Sequence, residues 1–252
     1  MKLADSLVMI AAGASSRLYR WHFPTYKHLY FAYKKLSDHR ITSFLKKHVL
    51  RDMTVLDVGA NIGFYSVFLA DLVGKHGSVH SFEPCGETFQ RLISIAGSRP
   101  QIVCNRSGAW SGEGRACLYH SVSGNVDNWI CADNPPPPGA DARVPVITLD
   151  KYCLDMNLSP AIVKMDIQGA EFHALQGFRY TLENSDRMIM LMELWPWGLR
   201  RCGSSAGDLF DLISDLKLKY SLVNGSKLTG FQINDTAPGN YTNMVIYKQL
   251  TI

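Results

Sequence analysis

The residues Val55-Leu-Asp-Val-Gly-Ala-Asn-Ile-Gly-Phe-Tyr65 set an aspartate, two glycines and an asparagine, in the form D-x-G-x-N-x-G, between an apolar run and a helical pattern. Gly59 and Gly63 permit a tight turn and let backbone approach a bound molecule at the carboxyl edge of a strand, where open α/β sheets bind nucleotides. Glu83, in His80-Ser-Phe-Glu-Pro84, follows Gly63 by twenty residues. A carboxylate at that distance can accept hydrogen bonds from both hydroxyls of a ribose. Asp166 ends another apolar run, so the spacing predicts that Asp57 and Asp166 face one crevice at the same sheet edge.

The acidic end of the first motif discriminates between ligands. A dinucleotide brings an anionic pyrophosphate, which a carboxylate at the strand end repels. S-adenosylmethionine brings an ammonium, a sulfonium and one carboxylate, without phosphate. Asp57 can attract its cationic end while the turn of Gly59, Asn61, Gly63 and Phe64 binds its carboxylate, with Glu83 and Pro84 at the ribose. Methyl transfer to an alcohol is an in-line substitution that needs close positioning and a partner for the departing proton. Asp166 is a candidate for that base, or for orienting donor or acceptor. Glu171, in the first turn of the next helix, is expected either to act there or to cap backbone N–H groups. His173 is expected at the surface. Glu193-Leu-Trp-Pro-Trp-Gly198, followed by Arg200 and Arg201, offers indoles for a sugar or aromatic acceptor and cations for an anionic group.

These residues need strands that end at one edge. Apolar runs at Thr54 to Val58, Ser78 to Phe82, Gln101 to Cys104, Ala161 to Ile167 and Met188 to Leu194 alternate with helical patterns at Gly63 to Leu72, Glu87 to Ala96, Ala170 to Leu182 and Ala206 to Leu216. The alternation implies right-handed crossovers and a doubly wound, mostly parallel sheet. Tyr220 to Val223 and Asn243 to Lys248 are expected as an antiparallel edge. Arg115 to His120 and Val144 to Leu149 read as added strands around a surface loop stiffened by four prolines, Asp133 to Gly139. Residues 15 to 50 read as helical, divided near Pro24, with Ser37 and Asp38 as an N-cap. The expected organisation is a helical cap over 1–51 and one domain over 52–252.

With 46% hydrophobic and 19% charged residues, the chain resembles neither a disordered nor a multi-span membrane protein. Arg17 to Arg51 holds nine Lys or Arg against Asp38 alone, a charge of +8. With residues 1–16 neutral, the rest carries −4 of the total +4, so no basic face for nucleic acid is expected on the domain. The basic, aromatic N-terminal segment is compatible with a membrane surface or an anionic partner. Leu7 to Ala14 is short for a secretion signal, and the six cysteines show no paired spacing, so a cytoplasmic protein without a metal centre is expected.

Taken in order, Leu56-Asp-Val-Gly-Ala-Asn-Ile-Gly-Phe-Tyr-Ser66, Phe82-Glu-Pro84, Asn105 to Gly114, Val163-Lys-Met-Asp-Ile-Gln-Gly-Ala-Glu171, Leu175-Gln-Gly177 and Leu191-Met-Glu193 resemble the FkbM-type family of S-adenosylmethionine-dependent methyltransferases over about residues 50 to 250. The resemblance implies a Rossmann-like class I methyltransferase fold with a seven-stranded sheet, S-adenosyl-L-methionine as cofactor, and O-methylation of a small-molecule or glycan acceptor such as a saccharide, lipid-linked sugar or natural product. It places adenine near Asn105, Ser107 and Gly108, and catalysis on Asp166, Glu171 and Glu193. The family pattern reads M-D-I-E-G-A-E where this chain has Gln168, which bonds but cannot act as a base. A nucleoside-binding interaction protein without turnover, an N- or nucleic-acid methyltransferase and a dinucleotide oxidoreductase are the alternatives. The nucleic-acid reading lacks an N-P-P-Y motif.

Overall fold

The computed structural model describes residues 17–97, 99–119, 128–131, 142–185, 187–223, 236–237 and 239–248. The strands of the main sheet are β1 (Thr54–Val58), β2 (Ser78–Phe82), β3 (Ile102–Asn105), β8 (Ile162–Met165), β9 (Ile189–Leu194), β10 (Lys219–Leu222) and β11 (Thr242–Tyr247). Their order is β10-β11-β9-β8-β1-β2-β3, and only β11 runs against its neighbours. The expected doubly wound sheet with an antiparallel edge is therefore present. The order in which the chain adds strands reverses between the parallel neighbours β1 and β8, which opens a crevice beyond their carboxyl ends.

Strand alternation divides the core between the two faces of the sheet. Leu56, Val58, Met165 and Met192 pack with Leu175 and Phe178 on one side. Val55, Val79 and Leu191 pack with Leu69 and Leu45 on the other. The covering helices are α3 (Phe64–Val73), α4 (Gly86–Ala96), α5 (Leu149–Asp155), α6 (Glu171–Gln176), α7 (Arg179–Asn184), α8 (Pro196–Arg201) and α9 (Ala206–Asp215). The helix expected from Ala170 to Leu182 is thus two helices. A side chain at Gly177 would collide with the backbone of Trp110, and the chain breaks where that close approach occurs.

The inserted segment forms a second sheet, β4-β7-β5-β6, from β4 (Gly108–Ala109), β5 (Gly114–Tyr119), β6 (Trp129–Cys131) and β7 (Ala142–Ile147). Two of these strands are the added ones expected from sequence, and β6 joins them. The proline loop lies outside the described residues, as does Leu7 to Ala14.

Two N-terminal helices, α1 (Phe23–Ser37) and α2 (His39–His48), lean on the sheet domain, with Pro24 in the first turn of α1. Phe31 meets Phe64 edge-on at 5.3 Å between ring centroids. Asp38 precedes α2 but makes no side-chain cap. Its carboxylate is drawn instead to Lys34 at 2.6 Å and accepts bonds from Ser37 and Tyr65, so a tertiary partner displaces the expected local one.

Candidate active site

The turn after β1 is held by backbone: Gly59 and Ala60 N–H groups donate to the Phe82 carbonyl at 3.0 and 2.9 Å. Gly59 adopts φ 81°, and a Cβ there would overlap the Asp166 carbonyl. Glycine thus lets the ends of β1 and β8 meet. Gly63, at φ 94°, starts α3 against Leu92.

Glu83 locks this turn from the next strand. Its carboxylate accepts from the Asn61 N–H at 3.1 Å and the Cys85 N–H at 2.9 Å. Burial nevertheless pushes its pKa up to about 7, against those two donors, which favour the ionised form.

Charged groups alternate across the adjoining strands. Asp57 is fully buried in β1, where Ser66 donates to it at 2.6 Å and Ser81 donates in turn to Ser66 at 2.9 Å. Its other oxygen has no hydrogen-bond donor, and the Lys164 ammonium stands 4.0 Å away. Burial raises the Asp57 pKa despite Lys164 and Ser66. Lys164 lies 3.5 Å from Asp166 and sits over the Tyr65 ring at 4.8 Å. Burial works to raise the Asp166 pKa, but Lys164, Lys34 and the Gln168 amide outweigh it and hold the group ionised. Glu193 responds the other way: burial, reinforced by the charge of Asp166, raises it well above the usual carboxylate range. Gln168 Nε2 bridges the two, at 2.9 Å from Asp166 and 3.4 Å from Glu193. The same surroundings thus act on the two carboxyls in opposite senses, lowering Asp166 and raising Glu193.

Tyr65, Lys164, Asp166, Gln168 and Glu193 line a cavity of about 990 Å³, bordered also by Tyr30, Lys34 and Asp38 of the N-terminal helices. Trp129, Trp195 and Trp197 add an aromatic part to the lining. Arg201 is packed over Trp129, Trp195 and Trp197 at 3.8, 4.9 and 4.8 Å and donates to the Gln168 carbonyl at 2.8 Å. The arginine tail of this wall is thus one residue from the carboxylate pair.

Of the residues singled out in the sequence, Gly59, Asn61, Phe64, Glu83, Pro84, Ser107, Gly108, Asp166 and Glu193 border the cavity. Asp57, Gly63, Asn105 and Glu171 lie behind its wall. Asn105 donates its amide to the Ser81 and Val103 carbonyls. Glu171 is fully buried, accepts from the Ile167 and Gly169 N–H groups at 3.1 and 2.9 Å, and is pushed by burial to about 7. Both donors lie in the turn before the helix, so the carboxylate ties that turn together, and the N-cap, Ala170, makes no side-chain cap bond. His173 is half-buried rather than at the surface, stacked on Trp110 at 4.2 Å between ring centroids. Lys34, Asp38, Tyr65, Trp129 and Lys164 escaped the sequence reading. Lys164 had a legible signal, a lysine inside an otherwise apolar buried strand. Among the described residues no group of three or more His, Cys, Asp or Glu is placed to hold a metal, and no helix is long and apolar enough to cross a membrane.

Residues 57–220 match the sequence model of the methyltransferase FkbM domain. A search of curated proteins finds no match. Among solved structures, the chain is similar to an FkbM methyltransferase from Methylobacillus flagellatus, at 17% identity and TM-score 0.49 over 79% of this chain; it spans 44% of that longer protein. It is also similar to a putative rRNA methylase from Clostridium thermocellum, at 13% identity and TM-score 0.51, with 83% of this chain and 93% of that one covered. At such identity the likeness concerns the fold alone.

Proposed function

Because the chain belongs to the FkbM methyltransferase family, we propose that it transfers a methyl group to a hydroxyl of a saccharide, lipid-linked sugar or natural product. S-adenosylmethionine is the donor, supplying a methyl carbon activated by a sulfonium. The residues present fit it: the glycine turn admits a ligand close to backbone, and the Glu83 carboxylate stands beside that turn, facing the cavity, at the place of a ribose. Ser107 and Gly108 offer polar groups to the base edge. Asp57 acts from behind the wall, through Ser66 and Lys164, by holding strand ends and charge in place.

The observation that carries the proposal is the pair of carboxyls bordering the cavity, Asp166 and Glu193, bridged by the Gln168 amide at 2.9 and 3.4 Å, the first lowered by its cations and the second raised by burial. A hydroxyl held there can donate to Asp166 and lose its proton to it as the new carbon–oxygen bond forms and the methyl–sulfur bond breaks, its electron pair leaving with the sulfur as a neutral thioether. Glu193, raised by burial and by the charge of Asp166, is placed to donate a hydrogen bond to the acceptor. Lys164 and Lys34, beside Asp166 and Glu193, offset the negative charge of the site. The indoles at 129, 195 and 197 stack the acceptor, and Arg201 receives any anionic group it carries. The helices over 17–48 serve as a cap beside the site, through Tyr30, Lys34 and Asp38.

The test is incubation of the purified chain with S-adenosylmethionine and separate panels of glycans, lipid-linked sugars, phenolic alcohols, amines and ribosomal RNA, with products read by mass spectrometry. Methylated oxygen on a hydroxylated small molecule is the expected result. Methyl groups on amines or RNA alone, or donor binding without turnover on any panel, would overturn it.

A further inference from the structure

Helix α1 is apolar on two sides. Tyr26, Tyr30 and Phe31 pack inward, in the clusters that join the helix to the domain. Leu29, Tyr33 and Leu36, spaced i, i+4, i+7 along another side, are 59%, 64% and 76% exposed, and Trp21 just ahead of the helix is 86% exposed. A helix with one face on a core and the other in water normally keeps its outer face polar, whereas an apolar outer face is covered by something. Four of the eleven large exposed apolar side chains among the described residues fall in this stretch, so the pattern is local to α1 rather than a property of the whole surface.

Charge identifies the cover. Arg17, Arg20, Lys35, Arg40, Lys46 and Lys47 are exposed around the same two helices. The sole acidic residue of the segment, Asp38, is turned inward onto Lys34 and Tyr65. An apolar ridge carrying Trp, Leu and Tyr within a field of uncompensated lysine and arginine matches the boundary of an anionic bilayer, where the ridge enters the acyl region and the cations meet headgroups. Tyr33 and Arg40 are exposed on this segment and also border the cavity, so the surface runs up to its mouth.

We propose that α1 and α2 dock the protein on an anionic membrane surface and turn the cavity mouth toward it, so that the acceptor is an amphiphile held in that surface. The second half rests on the methyltransferase reading above; the docking does not.

The experiment is sedimentation of the full chain with vesicles of phosphatidylcholine alone and of phosphatidylcholine with phosphatidylglycerol, for the wild type and for Leu29→Asp/Leu36→Asp. Neither substituted residue lines the cavity, and both side chains are exposed, so folding is expected to survive; calorimetric titration with S-adenosylmethionine is run on both proteins as the control. Partition to the anionic vesicles at least about tenfold above the neutral ones, lost in the double variant with donor affinity unchanged, is the expected result. Equal partition to both vesicles, absence of binding to either, or self-association that covers the ridge without vesicle binding would overturn the docking. Vesicle binding by a folded chain that takes no donor would leave the docking standing and remove the methyltransferase reading instead.

Discussion

Gln168 Nε2 donates to Asp166 at 2.9 Å, and the same amide nitrogen reaches Glu193 at 3.4 Å. The residue that departs from the family pattern therefore links the two carboxylates of the cavity floor. A glutamate at this position would present a third carboxylate in place of a donor, so this chain relieves locally a repulsion that the family pattern must offset in another way.

Gln168→Glu is expected to lower stability by about 1–3 kcal/mol at pH 8, through loss of the bridge and added repulsion. The deficit should shrink as pH falls and the new carboxyl is protonated. Thermal unfolding of both proteins at pH 5.5 and pH 8 checks this, and an equal deficit at the two values would contradict it.

Lys164 compensates both Asp57 and Asp166 from within the sheet, at 4.0 and 3.5 Å. Lys164→Met leaves the fully buried Asp57 without its cation and should cost about 3–5 kcal/mol. Lys164→Met/Asp57→Asn should recover part of that loss. Chemical denaturation of the two single variants and the double variant measures the coupling, and additive losses would argue against it.

The pH dependence of stability follows from Glu83 and Glu171, both pushed by burial to about 7. A carboxyl with a folded pKa above its unfolded value, which is near 4.3, contributes stability that is complete below the unfolded pKa and is lost as pH rises through the folded one. Stability should therefore fall between about pH 4.5 and 7. Asp38 and Asp166, lowered in the fold, act in the opposite sense below about pH 4. Asp57 and Glu193, also raised by burial, act in the same sense as Glu83 and Glu171; Glu171→Gln removes one of these raised groups, and the difference in unfolding free energy between pH 5 and 7.5 should narrow by about 2–3 kcal/mol.

Arg201 is held by three indoles and by the Gln168 carbonyl. Arg201→Lys loses planar stacking while keeping charge, and is expected to raise the acceptor KM about tenfold with donor affinity unchanged. Steady-state kinetics on an acceptor found by the screen, with calorimetry for the donor, separates the two. An equal loss of donor affinity would assign Arg201 to the donor half instead.

Much of the frame was legible because its signals are local. β1 and β2 run over the residues their apolar patterns marked, since each strand is bounded by a turn residue and buried on both faces. Glu83 was found by its distance from Gly63, a spacing fixed by one helix and one strand. Lys34 and Asp38 were not found, because their place at the site arises only when α1 folds back over the sheet. Trp129 reaches Arg201 through a short strand of the second sheet, 72 residues away in the chain, and no nearby residue announces that pairing. The break at Gly177 has the same origin, a contact with the Trp110 backbone. Asp57 carried the strongest sequence signal, yet the fold turns its side chain to Ser66 and Lys164 behind the cavity wall.

The most direct test of a donor site built on the glycine turn and Glu83 is calorimetric titration of the folded chain with S-adenosylmethionine, and separately with NAD, for the wild type and Glu83→Ala. Micromolar binding of S-adenosylmethionine, weakened at least about tenfold in the variant by loss of the hydrogen bonds to a charged group, is predicted. Absence of donor binding by a folded sample, or tighter binding of NAD, would contradict the account.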